Sequence, residues 1–153
     1  LFGNVNAWQW RPDLIWFDNL KSTATPNYYV QKMFSTNAGT DVVSALVDGK
    51  PLIGQDSLFA SACIDSKTSE LIVKMVNVAK KPTVLTLLLD GKQPSAKEIS
   101  IQVISNINPA SFNQVGKPED VTPVERKQKI SGKKITMNLD AYSLTVARIA
   151  IKK

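Results

Sequence analysis

From Ser57 to Ile151 the chain is a succession of short segments in which apolar and polar residues alternate, each closed by turn chemistry. Leu58, Ala60, Ala62 and Ile64 share one face. Leu71, Val73 and Met75 share another, in a segment that ends at Asn77. Ile99, Ile101 and Val103 alternate with Glu98, Ser100 and Gln102, and Ile135, Met137 and Leu139 alternate with Lys134, Thr136 and Asn138. A period of two is the signature of strands with one buried face. The other face meets water, so helices are not expected to wrap these sheets. Seven or so such strands, with Gly and Pro turns between them, predict a mainly β fold: a two-sheet antiparallel sandwich of jelly-roll-like kind. Two segments break the alternation. Thr83 to Leu89 is almost wholly apolar and closes at Asp90-Gly91, which predicts a central strand covered on both sides. Leu144 to Ile151 switches face between Val146 and Ile149, which predicts a bulge. Val42, Val43, Leu46 and Val47 read as one short strand stopped by Asp48-Gly49. Residues 106–123, with Pro109, Gly116, Pro118 and Pro123, read as a long connection.

The first 40 residues differ in kind, so the chain divides into 1–40 and a sandwich over 41–153. Leu14-Ile15-Trp16-Phe17 is an unbroken apolar run, as in a parallel strand buried on both faces. After a short polar linker, Thr25 is a good helix N-cap and Pro26 suits the first helical position. Tyr29 with Met33 and Val30 with Phe34 fall on one helical face at i,i+4 spacing, and Gly39 is the expected stop. A strand feeding a helix is half of a βαβ unit. Residues 1–12 read as loop, so the strand lacks a parallel neighbour, which suggests an odd edge or the tail of a larger protein. The opening LFGNVN looks like a cut, with neither initiator Met nor basic leader. An apolar strand and helix face left uncovered would promote self-association.

A chain of 153 residues suits one domain and can bury about 68–70 % of its unfolded surface. No apolar run approaches the roughly 20 residues of a membrane span. The net charge is +6, carried by scattered pairs such as Lys80-Lys81 and Lys133-Lys134 and one loose cluster from Arg126 to Lys134. They are not interleaved with aromatics, so a solvated face is preferred over a nucleic-acid or other polyanion surface. With no histidine, His-based metal sites and Ser-His or Cys-His nucleophile pairs are excluded. The single cysteine, Cys63, reads as a small buried hydrophobe. Phosphate-binding Gly-rich loops and calcium loops are absent, and no cofactor is implied. Glycoside hydrolysis needs two facing carboxyl groups, about 5–5.5 Å or about 6.5–9.5 Å apart. Glu70, Glu98, Glu119 and Glu125 all read as surface residues. Asp18, at the carboxyl end of the apolar strand, is better read as a loop cap than as a catalytic group. On chemistry alone the chain is non-catalytic. The opening loop carries the candidate binding residues Asn4, Trp8 and Trp10, read either as a sugar-facing rim or as aromatic packing at a domain junction.

LFGNVNAWQWRPDLIWFDN followed by TPNYYVQKMFSTNAGT resembles the end of the catalytic barrel in family 51 α-L-arabinofuranosidases, where the last barrel strand precedes a Thr-Pro-x-Tyr-Tyr helix. SLFASACIDSKTSELIVKMVNVAKKPTVLTLLLDG resembles that family's sandwich strands, with Asn77 ahead of a Lys-Pro turn. The closing segment resembles its Asn-x-x-x-x-Pro-x-x-Val-x-Pro connection (Asn113 to Pro123) and Ser-Leu-Thr-Val-x-Arg final strand. The resemblance implies a parent that is a retaining hydrolase of arabinose-containing plant polysaccharides, with a TIM barrel of which residues 1–40 are the last strand and helix. Its two catalytic glutamates lie on earlier strands, and no position here matches them. The resemblance further implies a sandwich that recruits a strand from the start of the full-length protein, so that this chain lacks a strand and shows an unpaired edge, and a missing barrel as the partner of this chain. An exported parent, periplasmic or extracellular, is compatible with it. Two other readings are a stand-alone carbohydrate-binding module, for which Phe59, Phe112 and Tyr142 would form the aromatic platform, and a basic polyanion-binding domain.

Overall fold

The computed structural model describes residues 2–4, as backbone, and 14–152. In chain order the elements are β1 (Phe2–Asn4), β2 (Ile15–Phe17), β3 (Ser22–Ala24), α1 (Pro26–Thr36), β4 (Asp41–Val43), β5 (Leu46–Val47), β6 (Lys50–Pro51) and β7 (Leu58–Asp65). They continue with β8 (Glu70–Asn77), β9 (Thr83–Leu88), β10 (Glu98–Ser105), β11 (Val124–Lys129), β12 (Lys134–Leu139) and β13 (Ser143–Ala150).

The main layer is a six-stranded antiparallel sheet in the order β11-β10-β13-β8-β7-β4. The antiparallel pair β12-β9 lies across one face. Between the two layers Leu71, Val73, Met75, Ile99, Ile101 and Val103 meet Ile135, Met137 and Leu139 in one apolar core. These are the residues whose alternation predicted inward faces, and the antiparallel two-layer arrangement follows from them.

The opposite face of the large sheet is not wet. Met33, Tyr29 and Val30 of α1 pack there against Ile72, Ile104, Leu144 and Val146. The expectation that helices leave these sheets bare is therefore corrected: one helix covers the middle strands, and β8 and β13 are buried on both faces. Double burial also explains the face switch in β13, which pairs without interruption from Ser143 opposite Asn77 to Ala150 opposite Glu70. No bulge is present. For β9 the correction runs the other way. Its apolar run is covered on one face only, and Val84 and Leu88 are 64 % and 75 % exposed.

Thr25 caps α1 as expected, its hydroxyl accepting from the Tyr28 N–H at 3.2 Å. The helix stops at Thr36, before Gly39, with Asn37 as its C-cap; the Asn37 side chain donates to the Met33 carbonyl at 2.8 Å. Gly39 serves a different purpose. A Cβ there would fall 2.8 Å from the sulfur of Cys63, which packs in the α1-side cluster. The segment Val42–Val47 forms two strands rather than one. β4 joins the large sheet, while β5 and β6 make a hairpin whose turn residues Asp48 and Gly49 both have positive φ, as a two-residue hairpin turn requires.

The opening strand does have a parallel neighbour. β1 pairs with β2, Phe2 opposite Ile15 and Asn4 opposite Phe17, and β3 closes the other edge antiparallel. This corrects both the loop reading of residues 2–4 and the polar-linker reading of 22–24. Three-residue strands such as FGN and STA carry too little alternation to be recognised. β2 is also less covered than its composition suggests, since Phe17 is 37 % exposed.

Candidate functional site

In an open parallel pair the carboxyl ends of the strands are where ligand-facing groups collect. Here Asn4 ends β1 beside Phe17, which ends β2, and Asp18 follows directly. Asp18 is committed to its own turn. One carboxylate oxygen accepts from the Leu20 and Lys21 N–H groups at 2.8 and 2.7 Å, and the Asp18 N–H donates to the Lys21 carbonyl at 2.9 Å. Those backbone donors hold its pKa below the ordinary carboxylate value. The cap reading of Asp18 is thus the observed one. Of the candidate binding residues, Asn4 has the backbone place just given, whereas Trp8 and Trp10 lie outside the described residues.

Beside this sheet runs the 106–123 connection, which carries no regular strand but is firmly bonded. Asn113 is 2 % exposed. Its amide nitrogen donates to the Ala24 carbonyl at 2.8 Å and the Val121 carbonyl at 3.0 Å, and its oxygen accepts from the Val121 N–H at 2.9 Å. Glu119 accepts from the Ala24 N–H at 3.0 Å and from the Tyr29 hydroxyl. Burial first, and then this bond to Glu119, pushes the Tyr29 pKa up to about 12. The ring of Phe112 lies 6.1 Å from that of Trp16, tilted by 51°. Asn113 and Val121 are two fixed positions of the Asn-x-x-x-x-Pro-x-x-Val-x-Pro motif, so the signal for this seam was present in the sequence. Glu119 carried none, and its reading as a free surface residue is corrected.

Glu70 is corrected in the same way. It is half-buried and paired with the Arg148 guanidinium through Nε at 3.1 Å and through Nη2, which lowers its pKa. Arg148 also donates to the Asn37 side chain at 3.1 Å, tying β13 to the end of α1. Asp140 pairs with Arg126 at 3.0 Å, Glu98 with Lys127 at 3.5 Å, and Glu125 accepts from Gln102 at 3.2 Å. Among the described residues no group of three or more His, Cys, Asp or Glu is placed to hold a metal ion. What the seam can do chemically is hold backbone in register.

Two apolar recesses open among the described residues. One, of about 300 Å³, opens between β4–β5 and β9 and is lined by Val43, Leu46, Ala62, Ile64, Leu85 and Leu87. The other, of about 360 Å³, lies beside α1 between Val30, Phe34, Val78, Pro109 and Tyr142.

The family model of the α-L-arabinofuranosidase C-terminal domain matches residues 3–143. The chain is 27 % identical over 150 residues to α-L-arabinofuranosidase 1 of Arabidopsis thaliana, covering 95 % of this chain and 22 % of that protein. It is 32 % identical over 144 residues to the probable α-L-arabinofuranosidase A of Aspergillus oryzae, covering 93 % and 21 %. The chain therefore spans about a fifth of the length of these relatives. Among solved structures, an arabinose-bound family 51 α-L-arabinofuranosidase superposes with a TM-score of 0.84 at 22 % identity, over 99 % of this chain and 23 % of that one. The arabinose complex of the Thermotoga maritima enzyme superposes with a TM-score of 0.71 at 15 % identity, over 88 % and 30 %.

Proposed function

Because the chain belongs to the α-L-arabinofuranosidase C-terminal domain family, we propose that it is the non-catalytic part of a retaining arabinofuranosidase that braces the catalytic barrel. In this reading residues 1–40 are the barrel's last strand and helix, and 41–153 are the sandwich. The observation that carries it is the parallel β1–β2 pair. A parallel pair is foreign to the antiparallel sheets of the sandwich and is the unit from which a barrel is built; β3, antiparallel on the other side of β2, ends it there. Asn113 and Glu119 bond Ala24 of β3, which pairs with β2, so in this reading the sandwich holds the barrel's final element through that outer strand.

The two apolar recesses then await the rest of the polypeptide. The first lies beside β9, whose pairing among the described residues is with β12 alone, and it suits an added strand. Asn4, Trp8 and Trp10 are assigned to the sugar-facing rim of the complete enzyme, which acts on arabinose-containing oligosaccharides. Without the barrel, the truncated N-terminal surface, where Phe17 and Phe34 are exposed, drives self-association of this chain. A carbohydrate-binding platform is a poorer fit, because Phe112 packs on Trp16 in the seam.

The test is hydrolysis of p-nitrophenyl α-L-arabinofuranoside by the purified chain and by the complete protein. The complete protein is expected to turn over and the chain alone to be inert. Turnover by the chain alone would overturn the bracing role.

A further inference from the structure

We propose that the 106–123 connection stands in for a fourth strand along β3, and that Glu119 is the positioning residue through which the sandwich sets the carboxyl ends of β1 and β2. The proposal deepens the reading above and rests on it for its kinetic consequence.

β3 is an outer strand of its sheet, so its outward-facing N–H and C=O groups need partners other than the neighbour it already has. At Ala24 both groups are taken by side chains of the connection. The N–H donates to Glu119 at 3.0 Å and the C=O accepts from Asn113 at 2.8 Å. A hydrogen-bonded strand would offer the same acceptor and donor at that residue. One residue back along β3, the Thr23 hydroxyl donates to the Gln114 carbonyl at 3.4 Å. Further on, Gly116 lies against Lys21, whose Nζ would be 3.6 Å from an added Cβ. The contacts follow β3 from the start of α1 towards the Asp18 turn.

Glu119 also holds the first turn of α1, since its second oxygen accepts from the Tyr29 hydroxyl. One carboxylate thus fixes the strand edge and the helix together. The ladder carries that constraint across the sheet: Ala24 faces Ile15, Ser22 faces Phe17, and Phe17 faces Asn4. These strands have only three residues each, so a displacement at Ala24 reaches the far end of the ladder without a long strand to absorb it.

The experiment uses the complete protein, with kinetics on p-nitrophenyl α-L-arabinofuranoside and amide hydrogen exchange on the same samples. Glu119→Ala is expected to raise KM about tenfold and leave kcat within about twofold, because the rim is misplaced while the reacting groups stay put. Glu119→Gln should recover part of the loss, as its amide oxygen still accepts from the Ala24 N–H. Glu98→Gln, at the start of β10 and paired with Lys127 of β11, should change neither constant. Exchange in Glu119→Ala should quicken over residues 18–29 and stay at the wild-type rate in β8 and β13. An unchanged KM, or unaltered exchange over 18–29, overturns the proposal. Faster exchange throughout β8 and β13 also overturns it, because Glu119 would then support the whole fold. If the wild-type protein hydrolyses nothing, the functional reading and the kinetic role fall together, and the exchange comparison still decides whether the connection holds β3.

Discussion

Strands β8 and β9 are similar in composition and opposite in environment. ELIVKMVN sits between β7 and β13 with α1 over one face and the β9–β12 pair over the other; Ile72 and Met75 are 0 % and 1 % exposed. TVLTLL pairs with β12 and turns Val84 and Leu88 to solvent. An apolar run records what a strand is built to meet, and the neighbours present decide how much of that meeting occurs. The two disagree at β9, where apolar side chains stay in solvent.

Three measurements sharpen or break this contrast. The largest effect belongs to Ile72→Ala, which empties a site under α1. It should lower the unfolding free energy by about 2–5 kcal/mol in urea titrations; a loss below about 1 kcal/mol would mean that the helix-covered face is loosely packed. The second concerns Glu70, whose bond to Arg148 lowers its pKa from the ordinary 4.5. In the unfolded chain this carboxylate takes up its proton first. Its contribution is therefore full above the ordinary value and lost as pH falls through the lowered folded value. Arg148→Met should be less stable at neutral pH and show a shallower fall on the acid side, read from urea midpoints across that range. An acid limb as steep as wild type would place the sensitive group elsewhere. Leu88→Thr is the smallest change, within about 0.5 kcal/mol in this chain. A loss comparable to that of Ile72→Ala would show that β9 is covered after all.

The inward faces were legible because alternation over six to eight residues leaves little freedom: β10 and β12 carry it from end to end. The Thr25 cap and the Asp18 turn were legible because both bonds are local. β11 was not, since VERKQK is an edge strand held by backbone pairing to β10, with no apolar pattern to betray it. β1 and β3 were too short. The position of α1 on the sheet could not be seen either. The residues it covers, Ile72, Ile104, Leu144 and Val146, lie on strands whose other face already explained their apolar content. At the candidate site, Asn113 was marked by its motif, whereas Glu119 and Glu70 depend on partners 90 and 78 residues away.

β13 follows every other strand of the large sheet in chain order, yet it lies between β10 and β8. During synthesis the β7–β8 and β10–β11 hairpins leave the ribosome as two separate half-sheets, each with an unsatisfied edge. They cannot join until residues 143–150 emerge. The nascent protein therefore passes through an interval in which both raw edges are open to chaperones or to misjoining with neighbours. The same placement makes β13 a zip between the halves: a nonsense codon ahead of it would release two hairpins without the strand that pairs with both.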